Sequence, residues 1–216
     1  MLPGLFNSQP STEDAGGGGA SFVAGGVAYQ IFDLTTFSFT SLNLGGAGST
    51  SDHFIVLITG FSSASRTISS VTIDGNPATV VSGSLREYHA SDRGFTAIAI
   101  GAATASSTGT VSVTWSGLMY STGVAVVRAI GLSSTTRDDV ATDVAGLSTA
   151  ISVEAGGICV GIATGGIGAS TWTGLTRQGS ADYISFAADA FASADASLTV
   201  TCTLTGLSVM SVASFS

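Results

Sequence analysis

The sequence predicts an all-β protein: a jelly-roll-like antiparallel β-sandwich built from two related halves, with an extended N-terminal arm. Three observations carry this expectation. Apolar and polar residues alternate in short runs from Phe22 to the end, which is the period of a half-buried strand. The runs are punctuated by Ser, Asn, Asp and above all Gly, with 29 Gly in 216 residues. No segment carries the capped, 3.6-residue apolar stripe of a helix. "AADAFASADAS" (187–197) has room for about one or two turns at most.

Residues 1–20 are expected to form a flexible arm, because Pro3, Pro10, "STED" and "GGGG" supply breakers and no period. Leu2, Leu5 and Phe6 nevertheless crowd apolar surface into its start. Residues 21–216 are expected to make a single β-sandwich domain, with sub-units at about 50–132 and 150–216. "VAYQIFDL" (27–34) and "FSFTSLNL" (37–44) read as strands, and "LGGAGSTSD" (44–52) breaks the run. "HFIVLITGF" (53–61) puts Phe54, Val56 and Ile58 on one face. "ISSVTIDGNPATVV" (68–81) is the clearest local signal. Asp74-Gly75 supports the positive φ of a tight turn between two β-branched runs, and Pro77 can begin the return strand at an edge. "FTAIAIG" (95–101), "TVSVTWSG" (110–117) and "TGVAVVRAIGL" (122–132) follow. The polar "STTRDDVATDVAG" (134–146) reads as a solvated linker between the halves. Beyond it come "AISVEAGG", "GICVGIATGG", "STWTGLTRQ", "YISFAADAF", "SLTVTCTLTG" and "SVMSVASF", for roughly a dozen strands in all.

The two halves announce themselves as a weak repeat. Residues 94–118 align without a gap to 183–207, with identities that include Ala99/Ala188, Thr110/Thr199, Val111/Val200 and Leu118/Leu207. Upstream "FIVLITG" resembles "ICVGIATG", and downstream "GVAVVRAI" resembles "SVMSVASF". The physical reading is two similar β units, each unable to bury its apolar face alone, packed face to face.

Composition excludes several function classes. Charged residues are 9% of the chain, against a usual ~25%. All six basic side chains are Arg, and 14 acidic residues bring the net charge to −8. Neutralising nucleic-acid phosphates or docking on anionic lipid requires clustered Lys/Arg, so neither partner is expected. The longest apolar run, "FIVLI", is far short of a membrane span of ~18 residues. The N-terminus lacks a basic n-region, and Pro3 and Gly4 interrupt its apolar start, so no export signal is read there. Cys159 and Cys202 read as two small hydrophobes in or near a core rather than a disulfide framework.

Chemistry-bearing motifs are sparse. His53 and His89 are the two histidines, and no CxxC, HExxH or GxSxG spacing occurs. "GGGG" (16–19) follows an acidic stretch rather than a strand, so it is no phosphate cradle. "REYHASDR" (86–93) gathers Arg86, Glu87, His89, Asp92 and Arg93, which read as a solvated edge rather than an acid–base set. Asp138, Asp139 and Asp143 supply oxygens of the kind calcium prefers, but without EF-hand spacing or its Gly. No catalytic, cofactor-binding or metal-ligating residue is therefore assigned. Trp115 continues the parity of Val111 and Val113 and is expected in the core. Trp172 follows "GGIGAS" near a turn and is the candidate glycan contact, an exposed aromatic of the kind that grips sugar rings.

"SSVTIDGNPATVV", "GTVSVTWSG" and "AISVEAGGICVGIAT" resemble the β-sandwich or jelly-roll structural proteins of tailed-bacteriophage virions. The shared patterns are a V-T-h-(D/G)-G-x-x-A hairpin (h for apolar), a G-x-V-x-V-x-x-S strand and a V-x-A-G-G-h-h-V strand start. The resemblance covers about 50–216. It implies a non-enzymatic capsid decoration or cement protein, head spike or tail component, assembled into the virion in the host cytoplasm. Its partners would be other virion proteins and further copies of itself. No family catalytic residue carries over. In this reading Leu2, Leu5 and Phe6 anchor the arm on a neighbour, each yielding ~1.5–3 kcal/mol gross if fully buried. Ordering the arm costs ~1–2 kcal/mol per residue fixed, so a trimer with three arms would gain by avidity. The alternative is a receptor- or carbohydrate-binding tail module that takes a host surface glycan on Trp172.

Overall fold

A computed structural model of the chain describes residues 19–89, 93–165, 170–204 and 208–216. Leu2, Leu5 and Phe6 of the expected arm, and Asp92, lie outside the described residues. The described chain forms strands and no helix. The first half contains β1 (Ser21–Asn43), β2 (His53–Ser62), β3 (Ile68–Ile73), β4 (Asn76–Val80), β5 (Arg86–Tyr88), β6 (Arg93–Ala102) and β7 (Thr108–Ile130). The second contains β8 (Asp139–Val144), β9 (Ser148–Val153), β10 (Ile158–Thr164), β11 (Thr171–Thr173), β12 (Arg177–Ala181), β13 (Ile184–Ala190), β14 (Asp195–Thr203) and β15 (Val209–Phe215). "AADAFASADAS" therefore ends one strand and begins the next instead of making helical turns. The expected linker is also not a linker: Asp139–Val144 pairs with β15, from Asp139↔Ser214 to Val144↔Val209.

β1 and β7 each run 23 residues and pair antiparallel along their length. Register shifts between Ile31 and Thr36 bend them, so each contributes to two layers. The early part of β1 and late part of β7 join β2, β6 and β5; the late part of β1 and early part of β7 join β3 and β4. This is the strand order of a jelly roll. β4 also pairs β6 through Thr79↔Ile100 and Val80↔Ala99, which closes the first half like a barrel.

The second half repeats the order with its strands cut apart. One sheet runs β12-β13-β10-β15-β8 and the other β11-β14-β9. β8 and β9 thus take the two parts of β1, and β14 and β15 the two parts of β7. The strand order repeats, but the faces of the aligned residues do not all repeat with it. Val56 pairs Ala99 and Val160 pairs Ala188, but the aligned alanines do not share a seat: Ala99 faces the inside of the first half and Ala188 the core between the halves. Downstream, Phe54 pairs Arg128 and Ile158 pairs Phe215, with Phe54 facing the inside of the first half and Ile158 the core between the halves. Phe215 faces the core between the halves, as Val127 and Ala129 do, so the alignment of the two sequences inverts the face here.

Three cores result. Phe37, Phe39, Phe54, Val56, Phe95 and Trp115 fill the inside of the first half. Cys159, Trp172, Val200, Cys202 and Met210 fill the inside of the second. Phe22, Ile55, Leu57, Val127, Ile158, Val160, Phe186 and Phe215 form a third core where the two larger sheets meet. The halves do pack face to face, but each is already two layers deep and buries an inner face of its own. "FIVLI" is continuous because β2 is covered on both sides, a pattern usual for buried parallel strands. Hydroxyls cross the shared interface: Thr96 Oγ1 lies 2.7 Å from Ser211 Oγ, which donates to Ser84 O at 2.6 Å.

Asp74 and Gly75 have φ of 49° and 78°, the paired positive values of a two-residue hairpin turn between β3 and β4. Where β1 begins, Ala20 N donates to Gly156 O at 2.6 Å, and a Cβ on Gly19 would stand 2.7 Å from Gly156 Cα. The first half is therefore clasped to the β9–β10 turn of the second.

Candidate functional site

Trp172 is not an exposed platform. It is the middle residue of β11 and pairs Cys202, so Thr171 and Thr173 face solvent while its ring enters the second-half core. Its indole N–H donates to Ser185 Oγ at 2.8 Å, and the ring lies over Gly161, where a Cβ would stand 2.8 Å away. Trp115 is buried as expected, donating to Thr122 Oγ1 at 2.9 Å with its ring 5.7 Å from that of Phe95.

The three aspartates are spent separately, one on a hydroxyl and two on backbone N–H groups. Asp138 Oδ1 accepts from Ser216 Oγ, Asp139 Oδ2 from Ser152 N and Asp143 Oδ2 from Ser148 N, each at 2.9 Å. Among the described residues no three His, Cys, Asp or Glu side chains converge on a metal position. Both cysteines are free and buried. Burial pushes the Cys202 thiol up to about 12, and the Cys159 thiol is raised further for the same reason.

The polar island does assemble in part. Glu87 on β5 accepts from Arg93 on β6 and from Ser65 Oγ, at 2.7 Å to Oε2, while His89 Nε2 stands 3.1 Å from Oε1. Burial pushes the Glu87 carboxyl up, but the hydrogen bonds from Arg93 and Ser65 outweigh it and hold the group below its usual range. An anion so stabilised is a weak base, and Ser65 gains little activation from it. A groove of about 630 Å³ lies elsewhere, between β4, β6 and the 135–137 segment. His53, Thr79, Ser82 and Arg137 line it. His53 Nδ1 is buried there without a hydrogen-bond partner, and Arg137 Nε donates to Ser82 O at 2.8 Å.

The feature that sequence reading missed is the bend of β1 and β7. Among the described residues the exposed large hydrophobic side chains gather there: Ile31 at 65%, Phe32 and Leu118 at 56%, Leu34 and Tyr120 at 42%. Register makes them neighbours, since Ile31 pairs Ser121 and Leu34 pairs Met119. The same place in the second half is a short turn, Ala145–Leu147, whose leucine is 2% exposed. The apolar corner of the first half is a patch of the kind that marks contact surfaces on a folded chain. Asp33 lies within the corner, and Arg66 borders it by donating from Nε to Leu118 O at 3.1 Å. "VAYQIFDL" hid the corner because its alternation reads as an ordinary half-buried strand.

Comparisons of the chain with protein-family models, with curated proteins and with solved structures found no match.

Proposed function

We propose that the protein is a structural, binding component of a bacteriophage virion, serving as a capsid decoration or cement protein or as a spike. The observation that carries the reading is the apolar corner on an otherwise closed four-layer β body. A stiff body with one greasy contact surface suits a part that is held in place by neighbours. The arm, through Leu2, Leu5 and Phe6, would supply a second attachment to capsid or tail proteins, and sheet contacts between copies the rest. Quantitative peptide mass spectrometry on density-purified particles from the source culture tests this. Hundreds of copies per particle are expected of a decoration protein, and a handful of a spike or tail part. Protein that remains in the soluble fraction would overturn the virion reading. Removal of residues 1–18 should abolish incorporation while leaving the circular dichroism of the β fold intact.

A carbohydrate-binding tail module is the second reading. The groove favours it, with the Arg137 guanidinium beside Thr79 and Ser82, now that Trp172 is buried. Glycan-array binding that disappears in Arg137→Ala would support that reading over the first.

A further inference from the structure

We infer that the apolar corner is where two copies of this chain meet across a two-fold axis. The inference rests on reading the corner as a contact surface and does not need the virion assignment. Its first support is area. At about 200 Å² for each large side chain, the exposures of the five residues leave roughly 500 Å² of apolar surface in water. Two corners placed together remove roughly 1,000 Å², the size at which specific association begins.

The second support is charge. Asp33 stands between Phe32 and Leu34 on the β1 side of the corner. Arg66 flanks the β7 side, with Nε on Leu118 O and Nη1 on Ser65 O, both at 3.1 Å. Its guanidinium lies against Gly117, where a Cβ would stand 2.8 Å from Nε. Neither Asp33 nor Arg66 forms an ion pair among the described residues. A two-fold contact makes each surface its own complement, so Asp33 of each copy meets Arg66 of the other and the pair forms twice. The third support is that among the described residues β1 pairs only β7 and is the edge of its sheet. An exposed apolar edge strand invites open-ended aggregation, and a closed two-fold contact covers it.

Sedimentation velocity and light scattering on the purified full-length chain, over a range of concentrations, test this. The wild type is expected to dimerise. Phe32→Asp and Leu118→Asp should each weaken dimerisation at least ~10-fold with unchanged circular dichroism. Asp33→Arg and Arg66→Asp should each weaken it, and the Asp33→Arg/Arg66→Asp double variant should recover it. A wild type that stays monomeric, a trimer, or a dimer indifferent to Phe32→Asp would overturn the inference. So would failure of the charge swap to rescue, which would assign the corner to the arm or to a foreign protein. None of these outcomes depends on particle incorporation, so this inference and the virion reading fail separately.

Discussion

Packing and one hydroxyl hold the Trp172 ring in the second-half core. Trp172→Ala should remove ~3–5 kcal/mol of stability by leaving a cavity. Trp172→Phe keeps most of the packing but takes the indole donor from Ser185, and should cost about 1 kcal/mol. Urea unfolding of the two variants checks the order; equal, negligible effects would mean the ring is not buried. The sequence did not reveal this seat because a three-residue strand has no measurable period, and the nearby glycines read as a loop. Trp115 was legible because Val111 and Val113 set its parity over a longer strand. At the surface, Glu87 is held below its ordinary value, so the folded state takes up its proton later than the unfolded chain as acid is added. Its stabilisation is therefore complete above the unfolded carboxylate's ~4.3 and is lost as the pH falls through the lower folded value. Glu87→Gln should lower Tm slightly at neutral pH, as befits a surface pair worth up to ~1 kcal/mol, and the gap should close below about pH 4. A gap that widens in acid would reverse the sign of the assignment.

Elements are where sequence reading succeeded most and where its main error arose. The Asp74-Gly75 hairpin was legible because few sequences tolerate two successive positive φ values. β8 was not, because in "DDVATDV" the polar positions of a half-buried strand are filled by Asp and Thr, which look like linker. The pairing of the larger sheets depends on small residues that no alternation rule singles out. Gly123 on β7 is one: a Cβ there would stand 2.1 Å from Ile184 Cδ1 and 2.7 Å from the Tyr29 ring. Gly123→Ala should push the halves apart locally and destabilise by ~1–3 kcal/mol, measured by chemical denaturation. A neutral result would show that Ile184 can turn away at little cost.

For the whole molecule, the shared core makes the halves interdependent although each has an interior. Residues 133–216 alone would present Ile158, Val160, Ile162, Phe186 and Phe215 to water. Calorimetry of the full chain should therefore give a single transition, with calorimetric and van't Hoff enthalpies equal. Two resolved transitions would mean that the inner cores outweigh the shared one. The duplication was legible from aligned residues such as Val111 and Val200, which both face an inner core, while Ala99 and Ala188 align across opposite faces. The layer count was not legible, because alternation reports that a face is buried and not what covers it. The clasp of Gly19 and Ala20 on Gly156 carries one more consequence, and it is mechanical. A pull on residues 1–18 enters the body where β1 leaves the second half. From there tension runs along β1, whose ladder to β7 lies parallel to the load and resists in shear, many rungs at once. A tether at this point loads both halves together, where one at a hairpin tip would peel rungs in turn.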